Sequence, residues 1–223
     1  MTAPRAALVL VVVAVLAAGL VGLDQPLARW TAQGGDGLRD IFGIITWFGQ
    51  GGVVLVPCGL FLLACFWLRP RLPSLAGPIA RGTRGAALLF AAVAAAGIVT
   101  DLLKLIFRRA RPELWLSGQS ASFFSDHFGS AYQSFPSGHT ATSVAAAIIL
   151  GRLAPRWRTE FACFAVLIAL SRVVLDAHYL SDVVAGAAVG AGVAILMLAW
   201  FRRKGWVPAS DGPQDEGPNT VQR

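Results

Sequence analysis

Three polar clusters interrupt an otherwise apolar chain, at residues 104–112, 136–139 and 171–182. Charged side chains in apolar surroundings are costly, so such clusters are candidate functional sites. In the first cluster, Lys104 and Arg111 are two helical turns apart, and both side chains therefore lie on one face of a helix. The proline that follows Arg111 disfavours further helix, so the two cations are placed at the end of an element.

The second cluster, Pro136-Ser137-Gly138-His139, directly precedes an apolar run. The first turn of a helix has unpaired backbone N–H groups and the positive end of the helix dipole. Gly138 lets the backbone approach an anion closely, because glycine has no Cβ. The cluster therefore predicts a cradle for an oxyanion at the beginning of a helix.

The third cluster combines an arginine, a histidine and a carboxylate. Ser171 and Arg172 end one apolar run, and His178 and Asp182 lie near the start of the next. If the residues between them are helical, the Asp182 carboxylate accepts the second N–H of the His178 imidazole. That bond would fix the tautomer and make the other ring nitrogen a better nucleophile or base. Asp176 is expected to be a solvated loop residue or the partner of a nearby arginine.

Together the clusters suit phosphate chemistry better than a metal centre. They supply three cations, Lys104, Arg111 and Arg172, with two histidines and one carboxylate. Magnesium and two-metal centres need several carboxylates. Arginine pairs with phosphate oxygens in bidentate geometry, and lysine adds a point charge. Such a set stabilises the negative charge of phosphoryl transfer, and no metal or other cofactor is expected.

The elements that carry these clusters are expected to be membrane-spanning helices. A mean hydropathy of +0.63 with 14% charged residues is outside the usual range of soluble globular domains. Crossing about 30 Å of hydrocarbon takes about 20 apolar residues in a helix. Six stretches approach this requirement: 6–23, 51–68, 86–107, 137–153, 159–177 and 179–201. We therefore predict an all-α integral membrane bundle of six transmembrane helices.

Basic residues between the predicted spans indicate the orientation, since short cytoplasmic loops retain positive charge. Most of the 19 lysines and arginines fall on one side if both termini are cytoplasmic. The three clusters then lie at the outer ends of spans, where they can converge in an active site at the outer interface. Topology and anionic lipid explain the net charge of +7 without a nucleic-acid partner, because the basic residues form no continuous stripe.

The chain is predicted to contain one domain, over residues 1–204, followed by a disordered cytoplasmic tail over 205–223. Residues 24–50 are expected to lie in the outer interface, with Trp30 and Trp47 at headgroup level. The first apolar stretch is interpreted as a span in preference to a cleaved signal peptide, because it is long for the apolar part of such a peptide.

Two further features are interpreted as packing. Cys58, Cys65 and Cys163 all fall inside predicted spans and are read as small buried hydrophobic residues without a disulfide. Gly186 and Gly190 form a small-x3-small pattern, which is typical of close contact between helices.

The three clusters together resemble the signature of the type 2 phosphatidic acid phosphatase superfamily, which is K-x6-R-P, P-S-G-H and S-R-x5-H-x3-D. Every signature position matches, in order and with the family's spacing: Lys104, Arg111, Pro112, Pro136, Ser137, Gly138, His139, Ser171, Arg172, His178 and Asp182. The resemblance extends approximately over residues 85–200 and implies the family's six-helix layout.

The resemblance implies a metal-independent phosphatase. By that resemblance, His178 attacks phosphorus and forms a phosphohistidine, and Asp182 orients it. His139 protonates the leaving group, and water then releases inorganic phosphate. Phosphate binding is assigned by the same resemblance to Lys104, Arg111, Ser137, Gly138 and Arg172.

The predicted function is hydrolysis of a lipid phosphate or pyrophosphate at the extracytoplasmic face of a bacterial inner membrane. Candidate substrates are undecaprenyl pyrophosphate, phosphatidic acid, phosphatidylglycerol phosphate and lipid A, and soluble sugar phosphates remain open. The alternatives are a phosphotransferase, in which an alcohol replaces water, and a transporter or scaffold that only binds. A vanadium haloperoxidase shares the residue set, but six spans argue against it. The oligomeric state stays open.

Three residues near the signature have no assigned role. Arg108 and Arg109 are equally consistent with binding a second phosphate and with nonspecific contact to lipid phosphates. His127, in the loop 113–135, is interpreted as structural.

Overall fold

The computed structural model describes residues 3–120 and 122–206, and every regular element within these ranges is helical. The α-helices are α1 (Ala3–Ala18), α2 (Asp24–Ala32), α3 (Asp36–Trp47), α4 (Gly51–Leu68), α5 (Ala76–Phe107), α6 (Pro112–Leu116), α7 (Gly138–Leu153), α8 (Arg158–Val174) and α9 (Leu180–Arg203). A π-helical turn at Gly19–Leu23 continues α1 into α2, and short 3₁₀ turns are found at Pro73–Leu75, Ser130–Tyr132 and Pro155–Trp157. The predicted all-α class is confirmed for the described residues.

Three helical segments in the described ranges are long and apolar enough to cross a membrane, judged by length and composition: Asp36–Leu68, Pro73–Leu116 and Leu180–Arg203. Large apolar side chains on these segments face outward, among them Ile44, Leu196 and Phe66, of which Phe66 is 74% exposed. An exposed apolar surface of this extent indicates lipid around it in place of water. The chain is an integral membrane protein.

Helices occupy all six stretches for which the sequence predicts a span. However, α7 and α8 contain only 16 and 17 residues, and crossing the hydrocarbon takes about 20. The six-span count therefore stays a prediction, as does the single domain over 1–204. Trp206, which belongs to the predicted tail, packs edge-on against Phe201 with ring centroids 5.4 Å apart. Residues 207–223 lie outside the described residues.

The interpretation of the cysteines is only partly correct. All three are free thiols, but Cys65 is buried, Cys58 is half-buried and Cys163 is exposed. Cys163 lies on the outward face of α8 and not in the core. Trp30 and Trp47 are exposed on α2 and α3, the two helices that form the predicted interfacial segment.

The core lies where α5, α7 and α9 pack against one another. Leu88 and Val93 of α5, Ile149 of α7 and Ala194 of α9 are fully buried there. Outside this centre, α4 packs on α5, α8 packs on α7, and α1 packs on α9.

Gly186 and Gly190 are the reason why α7 and α9 approach so closely. A Cβ on Gly186 would collide with the carbonyl oxygen of Ser137, and one on Gly190 would collide with the carbonyl oxygen of Ala141. The predicted packing role of both glycines is confirmed. Because Ser137 belongs to the predicted oxyanion cradle, this contact also fixes that segment against α9.

The helices bring all three polar clusters to one end of the bundle. The end of α5, the start of α7 and the connection between α8 and α9 meet there, and the backbone N–H of Ser137 donates to the carbonyl oxygen of Asp182 at 2.9 Å. The expected convergence in space is therefore found. The side of the membrane that this end faces stays a prediction.

Candidate active site

His178 is buried in the connection between α8 and α9, with its ring held by a backbone carbonyl. Its Nδ1 lies 2.6 Å from the carbonyl oxygen of Ser134. A carbonyl oxygen only accepts, so Nδ1 carries the proton and Nε2 keeps the lone pair. The Asp182 carboxylate is 3.7 Å from Nδ1, too far for a hydrogen bond. The prediction that Asp182 accepts the imidazole N–H is therefore wrong, because the Ser134 carbonyl takes that place.

Asp182 is held by other groups, which explains why it does not reach the imidazole. As the third residue of α9, it accepts the backbone N–H of Tyr179 at 2.9 Å and closes the helix N-terminus. Its oxygens also accept the hydroxyl of Ser134 at 2.5 Å and the Nη1 of Arg109 at 2.6 Å. Asp182 thus acts on His178 through its charge and through its hold on Ser134.

The environment keeps His178 neutral. Burial is the main cause that lowers the pKa of the His178 imidazole to about 4. The charges of Arg111 and Arg172 lower it further, and the Asp182 carboxylate opposes them. At neutral pH the ring is therefore unprotonated at Nε2, as a nucleophile must be.

The predicted oxyanion cradle, Ser137 and Gly138, lies at the start of α7. A Cβ on Gly138 would lie 3.2 Å from the Nζ of Lys104, so the lysine amine sits directly against the cradle. The Lys104 Nζ also forms an ion pair with Oδ1 of Asp101 at 3.2 Å, and the Asp101 side chain is exposed. Ser137 is fully buried, and its hydroxyl accepts a hydrogen bond from Thr140 at 3.1 Å.

The two signature arginines are each held by a few bonds that leave other donors free for an anion. Arg111 donates from Nε to the carbonyl of Ser130 at 2.9 Å and from Nη1 to the carbonyl of Ala177 at 3.1 Å. Arg172 donates from Nη1 to Thr46 at 2.6 Å, and its buried Nε has no hydrogen-bond partner among the described residues. A guanidinium has five N–H donors, so both can still bind phosphate oxygens.

His139 lies in the first turn of α7 and is only half-buried. Its ring contacts the α3–α4 connection, where a Cβ on Gly49 would lie 3.1 Å from the His139 Cδ2. Lys104, Arg111 and Arg172 all lie close enough to act on His139 electrostatically. Arg111 and Arg172 therefore act electrostatically on both histidines of the signature.

The unassigned residues near the signature have structural surroundings. His127 is exposed and stacks on Tyr132, with ring centroids 5.0 Å apart. Asp176 is buried and accepts from Arg39 at 2.7 Å and from Thr31 at 2.5 Å, so it is an arginine's partner and not a solvated residue. The guanidinium of Arg108 lies over the ring of Phe128 at 5.0 Å.

The surroundings of Arg109 differ most from those predicted from the sequence. It is buried and forms ion pairs with Asp182 at 2.6 Å and with Asp24 at 2.8 Å. Neither a second phosphate nor lipid is its partner, because its terminal nitrogens are used by the two carboxylates. Asp24 is a lone acidic residue directly after the first apolar stretch. That unusual position was the one feature of the sequence that could have indicated a buried partner for Arg109.

The model of the PAP2 superfamily matches residues 85–206. The chain belongs to the PAP2 superfamily. This match contains every signature residue and more than half of the chain, and it confirms the resemblance seen in the three motifs. Asp24, Thr31 and Arg39, on α2 and α3, lie outside the PAP2 match.

Two curated relatives of this PAP2 protein are lipid A 1-phosphatases. The protein from Rhizobium johnstonii is 41% identical over 121 residues, which is 53% of this chain and 49% of that protein. The protein from Rhizobium etli is 39% identical over 121 residues, with 53% and 51% covered. The chain thus spans about half the length of the curated relatives it matches.

Two solved structures share the PAP2 fold. The transmembrane PAP2-type phosphatidylglycerolphosphate phosphatase from Bacillus subtilis has a TM-score of 0.63 at 20% identity, over 89% of this chain and 96% of that one. LpxE from Aquifex aeolicus has a TM-score of 0.57 at 24% identity, over 79% and 94%. At these identities the likeness extends to the fold alone.

Proposed function

We propose that this PAP2 protein is a membrane phosphatase that hydrolyses a lipid phosphate through a phosphohistidine at His178. The contact between the His178 Nδ1 and the Ser134 carbonyl carries the proposal. It holds the imidazole in the one tautomer whose Nε2 can attack, and Arg111 and Arg172 stand near that ring to bind the phosphoryl oxygens.

The proposed reaction has two steps. In the first, the His178 Nε2 forms a bond to phosphorus while the bond to the leaving oxygen breaks, and His139 gives that oxygen a proton. In the second, His139 removes a proton from water, the hydroxide attacks phosphorus, and the P–N bond breaks to release inorganic phosphate. Lys104, Arg111, Arg172, Ser137 and the Gly138 N–H group would hold the phosphoryl oxygens, and no step requires a metal.

An apolar cleft beside His139 supports a lipid as the substrate. The cleft has a volume of about 140 Å³ and lies between α4, α7 and α8. Its lining includes Phe48, Phe161, Phe164 and Ile168. Gly49 also lines the cleft, and a Cβ on Gly49 would lie 3.1 Å from the His139 Cδ2. A hydrocarbon chain in this cleft would place its headgroup at the catalytic residues.

Among lipid phosphates, lipid A with its 1-phosphate is the first substrate to test. The support is the name of the curated relatives, which are 41% and 39% identical to this chain over 121 residues. Undecaprenyl pyrophosphate, phosphatidic acid and phosphatidylglycerol phosphate are the comparison substrates. In this proposal the chain has six spans and cytoplasmic termini, and its site faces the extracytoplasmic side, as the distribution of basic residues indicates.

The test is phosphate release from these four lipids by purified protein in detergent with EDTA. We expect release by wild type, and a loss of about a thousandfold or more in H178A. H127A is the matched control, because His127 is an exposed histidine at the same end of the bundle, where its ring contacts Tyr132 and the Ser125 hydroxyl. Equal rates in wild type and H178A would overturn the proposal. A phosphorylated alcohol in place of free phosphate would indicate a phosphotransferase.

A further inference from the structure

Asp24 is a buried carboxylate that reaches the active site from the first turn of α2. It is 2% exposed and accepts hydrogen bonds from three donors. The backbone N–H of Ser181 donates to it at 3.0 Å and the Ser181 hydroxyl at 2.5 Å. The Nη2 of Arg109 donates at 2.8 Å. Asp24 thus ties α2 to the N-terminus of α9, one residue before Asp182.

Arg109 connects Asp24 to the carboxylate of the active site. Its Nη1 donates to Asp182 at 2.6 Å and to the Ser181 hydroxyl at 2.8 Å. The guanidinium lies over the ring of Tyr179 at 4.0 Å and over the ring of Phe123 at 4.8 Å, and both contacts restrict its movement. One buried cation is therefore shared by two buried carboxylates.

We propose that Asp24 is a positioning residue for the phosphoryl-transfer step, acting through Arg109 on Asp182. This inference rests on the proposed function of His178. The three charges sum to one negative charge, so Arg109 does not fully neutralise Asp182. The remaining negative charge lies 3.7 Å from the His178 ring. When Nε2 bonds to phosphorus while Nδ1 keeps its proton, the ring becomes positive, and this charge stabilises it.

The network also fixes the acceptor that sets the tautomer. Asp182 holds the Ser134 hydroxyl, and the carbonyl of the same Ser134 holds the His178 Nδ1. Neutralising Asp24 would leave Arg109 paired with Asp182 alone. The carboxylate would then be drawn toward the guanidinium, and both its field at His178 and its hold on Ser134 would weaken.

The test compares wild type, D24N, D24E and H178A with p-nitrophenyl phosphate as substrate and orthovanadate as inhibitor. Vanadate adopts the geometry of the phosphoryl-transfer transition state, so its affinity reports how well the site is assembled. In D24N we expect kcat to fall by about tenfold to a hundredfold with little change in KM. The Ki for vanadate is expected to rise in the same proportion. D24E, which keeps the charge, is expected to recover part of both values.

A structural role for Asp24 would give a different result. Loss of folded protein lowers the apparent kcat but leaves the Ki for vanadate unchanged, because the molecules that remain active are intact. D176N is the matched control, since Asp176 is also buried and paired with an arginine but does not contact Asp182. We expect its vanadate Ki to stay at the wild-type value.

The outcomes separate this inference from the proposed function. If H178A is inactive while D24N keeps the wild-type kcat or the wild-type Ki, the positioning role is overturned and the function stands. If H178A is as active as wild type, the proposed function fails. Should D24N not fold, S181A supplies the test, because it removes only the hydroxyl shared by Asp24 and Arg109. A rise in its vanadate Ki is expected, and an unchanged Ki would overturn the inference.

Discussion

His178 and His139 stand in the same cationic site but are held in different ways. His178 is 3% exposed, and the Ser134 carbonyl fixes its tautomer. His139 is half-buried at the first turn of α7, where the α3–α4 connection contacts its ring. A nucleophile needs a fixed lone pair, whereas a residue that both gives and takes a proton needs access to the leaving group and to water. The surroundings of the two histidines match these separate requirements.

The largest expected effect separates the two histidines by the leaving group of the substrate. H178A should lose about a thousandfold or more of kcat with every ester, because the nucleophile is gone. H139A should lose about a hundredfold to ten-thousandfold with a lipid phosphate, whose alkoxide needs a proton. With p-nitrophenyl phosphate the leaving group needs no proton, so the first step should be much less affected. Single-turnover rates with both esters measure this difference.

If both variants lose the same factor with both esters, the two histidines do not have separate roles in bond formation and proton transfer. H127A again serves as the control, because that histidine stacks on Tyr132 away from the signature.

Arg172 tests whether the cations bind the phosphoryl group by geometry or only by charge. In R172K the charge remains but the planar fork is lost, and the bond to Thr46 changes. We expect kcat/KM to fall by about tenfold to a hundredfold, corresponding to about 1.4–2.7 kcal/mol of transition-state stabilisation. R39K is a suitable control, since Arg39 pairs with Asp176 outside the cradle. A wild-type kcat/KM in R172K would show that charge alone suffices.

Much of the site was predictable from the sequence, and the missing parts share a physical reason. The signature positions follow from local spacing, and the helices around them follow from the length of the apolar runs. The acceptor for His178 is a backbone carbonyl 44 residues away, and any residue type supplies a carbonyl. Asp24 and Ser181 are 157 residues apart in the chain, so the hydrogen bond between them forms only when the helices pack. The expected bond from Asp182 to His178 failed because a carboxylate at this helix position also closes the helix N-terminus.

Gly186 tests how the packing of α7 on α9 supports the cradle. In G186A the new methyl group would collide with the Ser137 carbonyl, and we expect a loss of about 1–3 kcal/mol of stability together with a several-fold fall in kcat. Gly192 lies on the same helix with nothing within 4 Å of a Cβ. G192A should therefore be neutral or stabilising by up to about 1 kcal/mol. Thermal unfolding in detergent measures both, and equal midpoints for the two variants would contradict this packing.

A further expected effect concerns the pH dependence of stability. The folded-state pKa of His178 is about 4, whereas an unfolded histidine has a pKa of about 6.5. Between these values the unfolded chain binds more protons than the folded one, so the contribution of His178 to stability falls as the pH drops from about 6.5 to about 4. H178Q removes this titration. The midpoint of wild type relative to H178Q should therefore fall over this range, and a constant difference would contradict a buried neutral imidazole.

The most direct measurement is to trap the phosphorylated enzyme in H139A with ³²P-labelled p-nitrophenyl phosphate. The account predicts that phosphorylation proceeds, since this leaving group needs no proton, while hydrolysis is slow without the His139 base. A phosphoryl group that is stable in alkali and labile in acid should accumulate, and peptide mapping should place it on His178. No label should appear in the H139A/H178A double variant. Label on another residue, or undiminished label in the double variant, would contradict His178 as the nucleophile.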